Sequence, residues 1–323
     1  MVRKAGLLVL GLAVVGLTGC SSKSTTSPTD ALSAEQASVQ MAVAAVPELA
    51  SDGLFDSSTP AGFSAHAGTG PLTGVEGDGG GGPETQPTAP STERHWWRVI
   101  SDATRSFDYE FTETDSTGRP TRAHVTVHKH FTGTFHVTWG EVVTGSAGQD
   151  SVVMHETVKP LKDHWVRQLW LARVARHGDG RDWKLVAASG VDVTSEIDDP
   201  ARQPAIQSVR VQAEGVDSTF TDPAAAITWN KLWCAPPATP VTITVTTNAP
   251  DDVVVLMHHD SRSPLTANGD NTYTATWMTP NYGGLKHVGV NALNPATVSD
   301  PEVAYHSHAW VFPYLNRGEG YGS

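Results

Sequence analysis

Cysteine is almost absent from this chain of 323 residues, which holds only Cys20 and Cys234. The signatures of several enzyme classes are also absent: no glycine-rich loop follows a predicted strand, and HETVK at 155–159 is not the HExxH of metalloproteases. Positive charge is scarce, with 22 basic against 34 acidic residues and a formal net charge of −12. The chain therefore lacks the electrostatic footprint of a protein that binds nucleic acid or an anionic membrane surface.

Long apolar runs are lacking too. The run Ala5–Leu17 follows a short basic region and leads to small residues that end in Cys20, which is the layout of a secretory signal. The motif Leu17-Thr18-Gly19-Cys20 resembles the lipobox of bacterial lipoprotein precursors. The resemblance implies that residues 1–19 are a removable signal peptide and that Cys20 carries a diacylglyceryl group and an acylated amine. Several acyl chains anchor a protein stably, so we expect a lipid-anchored protein of the bacterial cell envelope, in the outer membrane if there is one.

Composition divides the rest of the chain. Because lipidation uses Cys20, we expect no intramolecular disulfide, and hydrophobic cores must provide the stability. Residues 20–93 are rich in Gly, Pro, Ser and Thr and predict a flexible tether, with a short helix near 34–46. That helix forms either alone or only against a partner or the membrane. Beyond the tether we predict an antiparallel β domain (94–235), an immunoglobulin-like β-sandwich (236–316) and a tail (317–323).

The middle segment predicts a β-meander. Residues 93–106 fit a lead-in helix, and the next residues alternate, with Phe107, Tyr109 and Phe111 on one face. The stretch DWKLVAASGVDV is similar to the last strands of cystatin-like and nuclear-transport-factor-like folds, in which a helix packs into a curved sheet. The domain is therefore either a meander barrel or a helix on a curved sheet. Further strands are predicted near 121–131, 134–144 and 151–158.

The C-terminal region predicts short strands at regular turn spacing, which is typical of a β-sandwich. Gly284–Val290 resembles the entry to strand F of immunoglobulin-like domains, and Thr272–Trp277 resembles the strand before it. The chain departs from that pattern at His287, where those domains carry Tyr, and it lacks their paired cysteines. The resemblance implies a spacer or adhesive module and brings no catalytic residues. The predicted strands are 241–247, 252–259, 271–277, 285–293 and 303–312.

The densest group of candidate ligands is AHVTVHKHFTGTFHVTW at 123–139, which holds four histidines. If Thr132-Gly133-Thr134 closes a hairpin, His130 faces His136 on the polar side of two strands. A continuous apolar face then pairs Tyr109 with Val125 in the neighbouring strand.

This arrangement has two interpretations. A solvent-facing surface rich in Thr and His is the simpler one. The other is an open patch for a divalent metal ion, since zinc takes three or four ligands at about 2 Å and at most two or three of these side chains can share an ion. The metal-ligand candidates are His128, His130, His136 and Glu110, the last lying opposite His124.

These features predict a membrane-anchored envelope lipoprotein with a non-enzymatic binding, adhesive or structural role. Its expected partners are the membrane, through lipidated Cys20, and another envelope component, a protein or a glycan. One alternative is a metal-binding or metal-handling lipoprotein that uses the histidine-rich hairpin, with a divalent metal as the cofactor. A second is a hydrolase whose site is formed by residues distant in sequence.

Overall fold

The computed structural model describes residues 28–46, 64–65, 94–144, 150–174, 183–196, 199–258 and 261–317. In these residues the chain is mainly β, as predicted, and its strands are antiparallel except for one short parallel contact, between the strands Cys234–Ala235 and Ser307–Asn316. Helix α1 is Pro28–Ala44, helix α2 is Pro295–Ser299, and short 3-10 turns lie at Pro200–Arg202 and Trp229–Lys231. The strands are β1 (Ser64–Ala65), β2 (Arg94–Thr114), β3 (Pro120–Thr144), β4 (Asp150–Arg173), β5 (Trp183–Ser195), β6 (Ile206–Ala213), β7 (Val216–Phe220), β8 (Ile227–Thr228), β9 (Cys234–Ala235), β10 (Pro240–Thr247), β11 (Val253–His258), β12 (Ser261–Pro264), β13 (Thr266–Ala267), β14 (Thr272–Met278), β15 (Gly284–Leu293) and β16 (Ser307–Asn316).

Two sheets contain these strands. The long sheet has the order β1-β2-β3-β4-β5-β16-β15-β11-β12, with β8 beside β5 and β9 beside β16. The short sheet has the order β13-β14-β10-β6-β7. The five predicted C-terminal strands are confirmed as β10, β11, β14, β15 and β16. Hydrogen bonding crosses the predicted boundary at residue 236, because β6 pairs with β10 and β5 pairs with β16.

The predicted lead-in helix is wrong, because its residues begin β2. Trp96 and Arg98 point into the protein and Trp97 points to the other side, the alternation of a strand. The alternation is hard to recognise in the sequence because one of the inward positions holds an arginine. In the structure this arginine is only 3% exposed. A charged residue that is fully buried is rare and needs partners, which appear only in the folded chain.

The predicted hairpin at Thr132-Gly133-Thr134 is also wrong, because β3 runs straight through it. Gly133 lies opposite a β-bulge in β2, where the register shifts between Ile100 and Asp102. A Cβ atom at Gly133 would lie 2.0 Å from the carbonyl oxygen of Val99. The glycine therefore marks a close approach of two backbones and not a turn.

The predicted pairing of β2 with β3 is confirmed on the far side of that bulge. Tyr109 lies opposite Val125, and Glu110 lies opposite His124. The apolar face that predicted this register is the one that is buried: Val125 is fully buried, while Glu110 is exposed.

The long sheet curls so strongly that its two ends approach each other. The guanidinium of Arg262 on β12 lies 5.8 Å from the ring centre of Trp96 on β2. Arg98 on β2 donates a hydrogen bond to the side-chain oxygen of Asn291 on β15, at 3.3 Å. The face of β2–β5 that is enclosed in this way is called the inner face below.

A buried polar cluster occupies the inner face where the sheet ends meet. Arg98 donates to the Tyr305 hydroxyl at 2.9 Å and to the Ser307 hydroxyl at 3.1 Å. Tyr305 in turn donates to Asp163 Oδ2 at 3.2 Å. Burial raises the pKa of the Asp163 carboxyl, and the charge of Arg98, 3.9 Å away, offsets part of that effect. The cluster joins three distant parts of the chain.

Helix α1 covers another part of the inner face. Val39, Ala42 and Val43 are buried in the same hydrophobic core as Phe135 and Trp165 of the strands. Of the two alternatives for the middle segment, the described residues therefore show a helix packed on a curved sheet. A helix with this little apolar character obtains its stability from packing.

Glu35 holds α1 to the ends of the strands. Its carboxylate accepts hydrogen bonds from Arg119 at 3.2 Å, from Arg173 at 2.5 Å and from the indole nitrogen of Trp183 at 3.3 Å. The Arg173 and Glu35 side chains are only 12% and 14% exposed. We call these four residues the α1 clamp.

The two sheets pack face to face to form a second core. This core combines inward residues of the short sheet, such as Ile243 and Val245, with Val288, Trp310 and Tyr314 of the long sheet. The arrangement is a β-sandwich, and its immunoglobulin-like character stays a prediction. Among the described residues, no helix is both long and apolar enough to cross a membrane.

Candidate functional site

The outward side of β3 and β4 carries a row of histidines, because the alternation of β3 turns its even-numbered residues away from the core. Val125, Val127 and Phe131 are buried, and the histidines between and beyond them lie on the opposite face. We call this surface the histidine face. Its members are His124, His128, His130 and His136 of β3 and His164 of β4.

Most histidines of this face contact a carboxylate from a neighbouring strand or loop. His130 Nδ1 lies 2.6 Å from Glu196, and His136 Nδ1 lies 2.8 Å from Glu156. His128 Nε2 lies 3.1 Å from Asp108, and His124 Nδ1 lies 3.5 Å from Glu110. The carboxylates are between 43% and 78% exposed, so each pair contributes little to stability.

Three of the histidines form a cluster in the middle of the face. His128 Nδ1 lies 3.0 Å from His164 Nε2, and the His130 ring stacks on His164 with 4.4 Å between ring centres. Burial lowers the pKa of His164, and the neighbouring His130 and His128 lower it further. The neutral form of the His164 ring is therefore favoured relative to a histidine in water.

Tryptophans flank the cluster along the strands. His136 stacks on Trp97 and His124 stacks on Trp170, each with 5.0 Å between ring centres and planes within 14° of parallel. The ring faces of each pair cover each other, as expected for cross-strand neighbours. The surface therefore presents ring edges and nitrogen atoms rather than open aromatic platforms.

The structure does not bring the predicted metal ligands together. His130 and His136 lie on one strand, about 20 Å apart at 3.3 Å per residue. Glu110 contacts His124, while His128 contacts His164. Across the part of the chain that the structure describes, no group of three His, Cys, Asp or Glu side chains converges as a metal site.

The sequence predicts Asp108 opposite Thr126, on the side of the histidines, and this position is confirmed. Sequence reasoning missed His164 and missed Glu196 as the partner of His130. The contact with His164 depends on the register of β3 with β4, which sets His130 opposite His164, and Glu196 directly follows β5. The stretch DHW at 163–165 weakly indicates the position of His164. Neighbouring side chains of a strand point to opposite faces, so an inward Trp165 places His164 on the outer face.

A second site lies at the edge of β2, on the inner face. It is a cavity of about 420 Å³ that we call the cation pocket, and its walls combine apolar and basic side chains. Among the described residues, β1 pairs with β2 only at Arg94 and His95, and the cavity lies farther along the same edge of β2. The lining residues are Ile100, Ala103, Thr104, Arg105, Lys129 and Phe131.

Lys129 is the unusual residue of this pocket, because it is only 3% exposed. Its ammonium lies 4.7 Å from the ring centre of Trp165, which the guanidinium of Arg167 approaches at 5.7 Å. Burial and the charge of Arg167 lower the pKa of Lys129 to about 8. Burial alone lowers the pKa of Arg167 to about 9. This part of the inner face is therefore strongly positive in an acidic protein.

Comparisons with known proteins identify no relative. No family model matches the chain, no curated protein matches it, and no solved structure matches it. The functional argument therefore rests on the residues themselves.

Proposed function

We propose that this protein is a lipid-anchored binding protein of the bacterial envelope, attached through Cys20, and that the histidine face is its non-enzymatic binding surface. Cys20 lies outside the described residues, and the support for anchoring is the lipobox motif Leu17-Thr18-Gly19-Cys20.

One observation carries the assignment of the surface. The strands β2–β4 are buried on their inner face by α1 and by the curled sheet, yet their outer face remains open and carries paired imidazoles and carboxylates. Such pairs offer both donors and acceptors to a partner. Because the Trp and His ring faces cover each other, the surface favours a polar protein partner over a stacked sugar.

The anchoring is tested with Cys20→Ala in the full chain. We expect palmitate labelling to disappear and the protein to leave the membrane fraction. Unchanged labelling and fractionation would show that the lipobox assignment is wrong, whatever the histidine face binds.

The binding surface is tested by crosslinking in the native envelope. A photoreactive amino acid is placed at Thr126 or at Thr138, which lie on the histidine face, and at Thr244, on the outward face of the short sheet. We expect a specific protein adduct from the first two positions and none from Thr244. Equal adducts at all three positions, or none at any, would reject this surface, and glycan adducts would reject the protein partner.

A second candidate function is metal binding, favoured by the 3.0 Å approach of His128 Nδ1 to His164 Nε2. Two nitrogens bound to one ion at 2.0–2.1 Å lie about 3 Å apart when they occupy neighbouring positions. Calorimetric titration with Cu²⁺, Ni²⁺ and Zn²⁺ should show binding that His128→Ala with His164→Ala abolishes and His136→Ala retains. Equal binding by all forms would end this hypothesis.

A further inference from the structure

We propose that the cation pocket binds an amphipathic anion, a molecule with an apolar chain and a carboxylate or phosphate head. The site lies on the inner face at the edge of β2, away from the outward histidine face. It therefore stands independently of the proposed function, and either can fail alone.

The lining of the pocket is divided in a way that fits such a ligand. Phe131 is buried at its base, and Ile100 and Ala103 add apolar surface from β2. Lys129 and Arg105, which lie directly opposite each other on β3 and β2, supply the charge. Among the residues that the structure describes, no acidic side chain lines the pocket. A cavity of about 420 Å³ is within the usual range for a small organic ligand.

The positive charge extends below the pocket. Arg167 on β4 shares the Trp165 ring with Lys129, and its charge contributes to lowering the pKa of that lysine. Three basic side chains on three adjacent strands therefore face the same region of the inner face. A ligand anion placed there gains attraction in a partly desolvated setting, where charge interactions are stronger than in water.

The other buried cations of the inner face serve different purposes. The ammonium of Lys159 donates to the carbonyl oxygens of Thr297 and Asp300, both at 2.6 Å, and so holds α2. Arg98 is surrounded by the polar cluster described above. Lys129 contacts the Trp165 ring and also lines the pocket, so its ammonium group lies beside the space that a ligand anion would occupy.

The test uses the chain from residue 20 onward with Cys20→Ala, prepared without detergent. Octanoate, octyl phosphate, octanol and inorganic phosphate are titrated by calorimetry. We expect octanoate and octyl phosphate to bind at least tenfold more tightly than the other two. The preferred head group then separates a fatty acid from a phosphate ester as the natural source.

Variants locate the binding. Lys129→Met and Arg105→Gln should each weaken octanoate binding at least fivefold. Lys162→Met, on the exposed outer side of the same sheet, should change it less than twofold. Circular dichroism and thermal melting check folding, and the exposed Arg105 keeps the test valid should Lys129→Met disturb the core.

The pH profile adds a second readout. Lys129 faces Arg105 on β2 and Arg167 on β4, and His287 on β15 lies 3.4 Å from Arg167. Octanoate affinity should fall between pH 7 and 9 as Lys129 loses its proton, and the fall should be smaller in Lys129→Met. The proposal is overturned if the parent chain binds neither anion, if octanol binds as tightly as octanoate, or if Lys129→Met and Lys162→Met have equal affinities.

Discussion

The inner and outer faces of the long sheet both carry many charged and titratable side chains, but they compensate those charges differently. On the outer face, four of the five histidines of the histidine face contact an exposed carboxylate. On the inner face Arg98, Lys129 and Arg167 are buried, and the buried carboxylate of Asp163 lies 3.9 Å from Arg98. Similar charged residues therefore form part of the buried core on one side of the sheet, while on the other side their exposed pairs contribute little to stability.

The largest difference is expected at Arg98. Arg98→Met removes the charge that offsets the burial of Asp163, and it removes the hydrogen-bond donor to Tyr305 and Ser307, which should cost about 3–5 kcal/mol of unfolding free energy. The matched outer variant is Arg122→Met, whose exposed pair with Glu113 should cost no more than about 1 kcal/mol. Urea denaturation measures both, and similar losses would contradict the distinction.

The second largest loss of stability is expected at the α1 clamp. Glu35→Gln removes the charge from hydrogen bonds to Arg173 and Arg119, and we expect a loss of about 2 kcal/mol. Hydrogen exchange should then become faster in α1 than in the strands. Glu113→Gln, which alters an exposed Glu–Arg pair, is the control and should leave exchange in α1 unchanged.

Substitution of Lys129 should increase the unfolding free energy, whereas substitution of Arg98 or Glu35 should decrease it. Its pKa is lowered from 10.5 to about 8, so the folded chain binds fewer protons than the unfolded chain between those values, and stability rises with pH across that window. Lys129→Met should raise stability at pH 7 by about 1–2 kcal/mol, since access of solvent at the pocket screens part of the shift. It should also remove the rise above pH 8. A destabilised variant in urea titrations would show that the buried charge is better compensated than we infer.

The smallest effect is expected on the histidine face. His136→Gln removes a contact with the 50% exposed Glu156 and a stack on Trp97, so the unfolding free energy should change by about 1 kcal/mol or less. Thermal denaturation at several salt concentrations measures it. A loss comparable to that of Arg98→Met would mean that the outer face is part of the folding core.

The sequence predicted what depends on local alternation and missed what depends on long-range contact. The pairing of Tyr109 with Val125 follows from a continuous apolar face, and β10, β11, β14, β15 and β16 follow from the turns between them. Gly133 has the composition of a turn, yet it serves a bulge in a strand 30 residues earlier. The inward position of Arg98 and the contact of His128 with His164 required the curl and register of the whole sheet, which no local pattern contains.

The α1 clamp has a mechanical consequence under the proposed anchoring. A chain held in a membrane at Cys20 enters the folded part at α1, so a pull on the anchor loads the contacts of Glu35 before it reaches any strand. If the clamp opens, the next described contact along the chain is the pairing of β1 with Arg94 and His95 of β2. Once that pairing also opens, residues 47–93 span at most about 150–170 Å at full extension. The contacts of α1 would then help to determine how far the folded part of the chain can move from the bilayer.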